Sequence, residues 1–218
     1  MRIEGAVALV TGANRGLGKA FATMLAERGA RVYATSRATG LDITNPADVA
    51  RAAETYQDVT LLINNAGIAS LTPMLSAPTM DVARLEMETN YFGPLAMCRA
   101  FAPILAANGG GALVNVLSII SFFSAPGLGS ASATKAAAWS MTNSVRMELA
   151  DQGTLVVGVH SGFIDTGLAE GFDVPKHRPE YVAGLVLDAV AAGHEEVLAD
   201  ERTRQLRPPV VTPDGARY

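Results

Sequence analysis

The chain has 218 residues, a net charge of −4, and 49% apolar against 17% charged residues. That is enough for one domain with a substantial core, and the modest charge with scattered basic residues excludes a nucleic-acid footprint. No apolar run reaches the length of a membrane span, a lone Cys98 excludes an internal disulfide, and His160, His177 and His194 are too dispersed to suggest a metal site.

The first apolar run, Ala6 to Val10, reads as a buried strand. It is too short for the apolar core of a signal peptide and ends in a glycine turn, so a cytoplasmic protein is expected. The turn is Thr11-Gly12-Ala13-Asn14-Arg15-Gly16-Leu17-Gly18, followed by apolar positions at helical spacing from Lys19 to Arg28, where Gly29 stops them. A strand, a glycine-rich turn and a helix N-terminus make an anion site. Glycine lets the backbone approach a phosphate, and free N–H groups with the helix dipole favour negative charge.

Arg31 to Thr35 is rich in β-formers and reads as the second strand. It ends at Ser36-Arg37, where a nucleotide-binding βαβ unit meets the adenine ribose. A carboxylate there takes the 2′-hydroxyl, whereas an arginine accommodates a 2′-phosphate. Arg37, with Arg15 as a second cation, points to NADP rather than NAD. Leu41 to Thr44 reads as a brief strand-like piece, and Pro46 opens a helix to about Tyr56. Thr60 to Ile63 is a third core strand, leading into Asn64-Asn65-Ala66-Gly67.

A long helical pattern spans Thr79 to Ala107, bent near Asn90 and Pro94. Ala112 to Leu117 is a strand, Ser130 to Ala150 a helix, and Thr154 to His160 another strand. A Gly/Pro-bearing segment from Gly162 to Arg178 precedes a helix from Pro179 to Ala192, and Glu195 to Leu198 is the last strand. Strands alternating with helices specify an α/β fold, a single Rossmann-type doubly wound parallel sheet flanked by helices over residues 1–206. Residues 207–218 read as a weakly ordered tail. The loops opening at Thr11, Asn64, Ser118 and Ser161 would converge at the carboxyl edge of that sheet.

Thr11-Gly-x-x-x-Gly16-x-Gly18 followed by Asn64-Asn65-Ala66-Gly67 resembles the classical short-chain dehydrogenases/reductases, over nearly the whole chain. The resemblance implies an NADP(H)-dependent oxidoreductase. Gly12, Asn14, Arg15, Gly16, Leu17, Gly18, Ser36 and Arg37 would bind the cofactor. Asp42 and Ile43 would lie against adenine, and Asn65, Ala66 and Gly67 beside the adenosine. Ser161 to Thr166 is similar to the family's Pro-Gly-x-x-x-Thr, with Gly162, Phe163 and Thr166 near the nicotinamide and Ser161 in place of the proline.

The family's chemistry uses an asparagine, a serine, a tyrosine and a lysine. Asn90 matches the asparagine that holds a relay water, Ser118 the serine that binds the substrate oxygen, and Lys135 the lysine that also grips the nicotinamide ribose. Four residues before Lys135 stands Ala131, and the tyrosine is missing; no tyrosine in the chain lies four residues before a lysine. Three accounts of Ala131 stand open: deliberate inactivation of a reductase, a natural NADP(H)-binding sensor or scaffold, or redox-neutral chemistry on the same fold. The intact Asn90, Ser118 and Lys135 favour the first.

Substrate choice falls to Ile68, Leu71, Met74, Leu75, Ile120, Phe122, Phe123, Leu128, Phe163, Leu168 and Phe172. These suggest a small hydrophobic ketone, aldehyde or secondary alcohol. Surplus apolar surface on the helices Thr79–Ala107 and Ser130–Ala150 suggests a homodimer or homotetramer.

Overall fold

A computed structural model of the chain describes residues 1–209. Among them, six parallel strands form one sheet in the order β2-β1-β3-β4-β5-β6. These are β1 Val7–Val10, β2 Arg31–Ala34, β3 Leu61–Asn64, β4 Ala112–Val116, β5 Leu155–His160 and β6 Glu196–Leu198. From β1 the chain runs out to β2 on one side and then to β3 on the other, so the sheet reverses direction there and opens a crevice at its carboxyl edge.

Both faces of the sheet are covered, and period-two alternation assigns each side chain to one of them. Ala8, Val10, Leu61, Ile63 and Val114 pack with Phe21 and Leu25 of α1 (Gly16–Glu27) and Val186 and Val190 of α6 (Pro179–Ala192). Leu9, Leu62 and Leu113 face the other way, against Met97, Phe101 and Leu105 of α4 (Gly93–Ala107) and Met141 and Val145 of α5 (Gly129–Leu149). Short α2 (Pro46–Thr55) adds Val49 and Ala52 to that layer. No helix among the described residues is long and apolar enough to cross a membrane.

One sequence expectation is overturned, and two stretches gain detail. Leu41 to Thr44 is not a strand: Asp42 Oδ1 accepts from the Thr44 N–H at 3.0 Å and its hydroxyl at 2.7 Å, a local turn that outcompetes ladder bonding. The bend near Asn90 is a π-helical turn, Glu88–Phe92, between α3 (Asp81–Met87) and α4. A further helix, α7 (Glu201–Leu206), follows β6, started by Asp200, whose carboxylate accepts from the Thr203 N–H at 2.8 Å. Of the expected tail, Arg207 is tied to Glu196 at 2.9 Å, and 210–218 lie outside the described residues.

Candidate active site

The loops after β1, β3, β4 and β5 meet at the carboxyl edge around one cavity of about 1100 Å³. At its base, the glycine turn is bound to the turn after β3. The Thr11 hydroxyl accepts from the N–H groups of Asn65 (3.0 Å) and Ala66 (3.1 Å), and the Asn65 amide donates to the carbonyls of Thr11 (2.9 Å) and Gly12 (3.3 Å). Contact is so close that a Cβ on Gly18 would lie 2.3 Å from the Gly12 oxygen, and Gly16 holds a left-handed φ of +54°. Helix α1 starts without a side-chain cap and without an acidic residue in its first turn, leaving its N–H groups to an anion.

Gly12, Asn14, Arg15, Gly16, Leu17 and Gly18 line the cavity, as do Ser36, Arg37, Asp42, Ile43, Asn65, Ala66 and Gly67. The Ser36 hydroxyl is buried with no partner. Arg15 and Arg37 are exposed beside it, and neither is in an ion pair or side-chain hydrogen bond among the described residues. A buried donor in want of an acceptor next to two unpaired cations fits a phosphorylated ribose.

Ser118, Ala131 and Lys135 line the same cavity, with Gly162, Phe163 and Thr166, whose methyl lies 3.0 Å from where a Cβ on Gly16 would stand. Ser118 follows β4, and its carbonyl lies 3.1 Å from His160 Nδ1. That ring is sealed against Phe122 and Trp139, and burial drives its pKa down to about 4, so it stays neutral. Ala131 and Lys135 stand one turn apart on α5, as their spacing predicts. Lys135 Nζ donates to the Val116 carbonyl at 2.8 Å, and burial pulls its pKa down to about 8. No tyrosine lines the cavity among the described residues.

Asn90 stands one layer behind the wall. Its amide protons go to the Ile68 carbonyl (2.8 Å) and the Thr134 hydroxyl (3.0 Å), while Oδ1 accepts from the Ile68 N–H (2.9 Å). Its amide N–H groups are therefore spent on the loop and on α5, and a relay water would have to use the remaining acceptor capacity of Oδ1 or the backbone of the π turn. Deeper still, Asn64 Nδ2 donates to Asn115 Oδ1, and Asn115 Nδ2 to the Thr142 hydroxyl, a buried ladder from β3 through β4 to α5. Cys98 is buried beside it with its pKa pushed up to about 12, a protonated structural thiol as expected.

Of the expected substrate residues, Ile68, Ile120, Phe123, Leu128, Phe163, Leu168 and Phe172 line the cavity. Leu71, Met74, Leu75 and Phe122 do not. The first three are exposed on the loop before α3, and Phe122 is taken up by His160 and Trp139. Two anchors escaped the sequence reading. Glu86 is fully buried on α3, its carboxylate accepting from the Ser70 N–H (2.6 Å) and the Ser130 hydroxyl (2.5 Å), which pins that loop to the start of α5. Asp200 accepts from the Gly162 N–H (2.8 Å) and lies 3.7 Å from His177 Nε2. Burial pushes the Asp200 carboxyl up, but the hydrogen bonds from Gly162 and Thr203 outweigh it and hold the pKa below the usual carboxylate value. The Asp-x-x-Thr spacing was a legible capping signal for Asp200; nothing local marked Glu86.

A family model for short chain dehydrogenase matches residues 6–42 and 36–175. The 3-oxoacyl-[acyl-carrier-protein] reductase FabG of Vibrio cholerae is 31% identical over 194 residues, covering 79% of this chain and 79% of that protein. A 3-ketodihydrosphingosine reductase of Bacteroides thetaiotaomicron is 31% identical over 182 residues, covering 77% of this chain and 67% of its own length. A short chain dehydrogenase of Burkholderia cenocepacia, solved in complex with NADP, superposes with a TM-score of 0.89 at 45% identity, over 94% of this chain and 93% of that one.

Proposed function

This chain belongs to the short-chain dehydrogenase family, and on that premise we propose that it binds NADP(H) and acts on a hydrophobic ketone, aldehyde or secondary alcohol, slowly, because Ala131 stands where the proton donor belongs. The observation that carries the reading is one cavity lined both by the glycine turn with Arg15, Ser36 and Arg37 and by Ser118, Ala131 and Lys135. The NADP-bound structure of the Burkholderia relative and the ketone-reducing names of the other two support it.

When bound, the nicotinamide supplies a hydride to the substrate carbon or takes one from it. The glycine turn and the α1 N-terminus hold the diphosphate, Ser36, Arg15 and Arg37 the 2′-phosphate, and Lys135 the nicotinamide ribose hydroxyls. Ser118 Oγ donates a hydrogen bond to the substrate oxygen. Ala131 has no proton to give, so the oxygen is protonated by water. Ile68, Ile120, Phe123 and Leu128 keep the substrate end apolar.

Cofactor preference tests the first half. Arg15→Ala and Arg37→Ala should each weaken NADPH binding by about 10- to 100-fold, the worth of one charge-assisted hydrogen bond, and leave NADH unchanged. Titration calorimetry reads both. Equal losses for the two cofactors would remove the 2′-phosphate role.

Assembly belongs to the same proposal. A shallow groove between α4 and α5, lined by Leu95, Ala102 and Ala137 together with Arg99, Ser140, Ser144 and Glu148, offers a mixed polar and apolar face for a second copy. Sedimentation equilibrium should give twice or four times the chain mass, and a monomer would refute this. A second reading, a non-catalytic NADP(H) sensor or scaffold, is favoured by the absence of tyrosine from the described cavity wall.

A further inference from the structure

We infer that Lys135, in the cofactor-free protein, is a carbonyl-capturing amine: an apolar aldehyde entering the cavity condenses with Nζ to form an iminium. The inference goes beyond the reductase reading, since the step needs no nicotinamide. Geometry carries it. Nζ belongs to a side chain in the cavity wall and has one hydrogen-bond partner, the Val116 carbonyl, which leaves the nitrogen available once deprotonated. Lys135 is in no ion pair among the described residues, and burial alone sets its protonation. At residue 131, one turn away, stands only a methyl, where the family resemblance implies a phenol.

The surroundings favour condensation. Val116 presents a carbonyl from β4, a Cβ on Gly67 would lie 3.6 Å from the amine, and His160 on β5 is held neutral. Ile68, Ile120, Phe123 and Leu128 furnish an apolar wall for an aldehyde tail. An amine with a pKa of about 8 is deprotonated at pH 7 roughly 300-fold more often than an ordinary lysine.

The step balances without an oxidant. The nitrogen lone pair attacks the carbonyl carbon, a C–N bond forms, and the carbonyl π pair moves to oxygen. A proton passes from nitrogen to that oxygen, a second comes from solvent, and water leaves, giving the C=N⁺ bond.

The chain holds three lysines, so the competition is internal. Full-length protein is incubated with octanal and cyanoborohydride from pH 6 to 9, then digested and mapped by mass spectrometry. Label should concentrate on Lys135 by about tenfold or more over Lys19 and Lys176, saturate with aldehyde, and rise with pH through a midpoint near 8. Ala131→Tyr should reduce it. Even labelling of the three lysines, or reaction of Lys19 and Lys176 with Lys135 spared, overturns the inference. NADP⁺ should protect Lys135. Selective labelling that NADP⁺ does not prevent would uphold capture and instead remove Lys135 from the ribose site.

Discussion

Ala131→Tyr is expected to raise the rate of NADPH oxidation with an apolar ketone by about 10²–10⁴, roughly 3–5 kcal/mol of barrier. A phenol at 131 would project from the α5 face that carries Lys135, into the cavity that Ser118 also lines. It would bring the one group the proposed reductase site lacks, a positioned acid whose proton reaches the substrate oxygen as hydride reaches the carbon. Ala131 is 1% exposed, so its methyl is part of a closed wall, and the ring has to extend into the 1100 Å³ cavity. The gain should fall on kcat, because the residues proposed to hold the phosphates are untouched, and KM for NADPH should hold. If both chains are inactive while NADPH still binds, the reductase reading falls. A sensor, a scaffold or redox-neutral chemistry then takes its place.

The fold was legible because local signals and tertiary demand agreed. Val7–Val10, Leu61–Asn64 and Leu155–His160 are buried strands of a parallel sheet, which must read as nearly unbroken apolar runs. The helix bounded by Pro179 and Gly193 was marked at both ends by residues with fixed backbone roles. What escaped depended on partners far away in sequence. Leu41–Thr44 has strand-like residues, yet the Asp42 side chain bonds its own backbone neighbourhood. Glu86 looks like a surface charge on a helix until Ser70 and Ser130 close over it. The site followed the same division. Motif spacing brought the cradle, Ser118 and Lys135 to one cavity, whereas Asn90 kept its place but spent its amide protons on Ile68 and Thr134. Leu71, Met74 and Leu75 show the limit of composition: apolar and in the right loop, they lie outside the cavity wall.

Lys135→Met is expected to stabilise the cofactor-free protein while removing its grip on NADPH. Burial holds the amine near a pKa of about 8, against 10.5 in a solvated chain, so the folded state binds fewer protons than the unfolded state between those values. Stability therefore rises with pH across that window, and below pH 8 the folded protein carries the cost of a partly buried ammonium, at most about 3 kcal/mol. Methionine fills a similar volume without charge but leaves the Val116 carbonyl without its donor, offsetting about 1–2 kcal/mol. The net gain at pH 7 is about 1–2 kcal/mol, a Tm higher by roughly 2–8 °C for a chain of this size. Scanning calorimetry at pH 7 and pH 10 separates the terms: the native chain should gain stability relative to the variant as pH rises, and the variant's own lead should shrink. A lower Tm for Lys135→Met at pH 7 would mean that the ammonium is well solvated where it stands. In the Ala131→Tyr background the same substitution should weaken NADPH binding and turnover together, because in the proposed site one side chain would both hold the ribose and lower the phenol pKa. A residue that costs the fold stability and serves the site is the pattern expected where burial is retained for chemistry rather than packing.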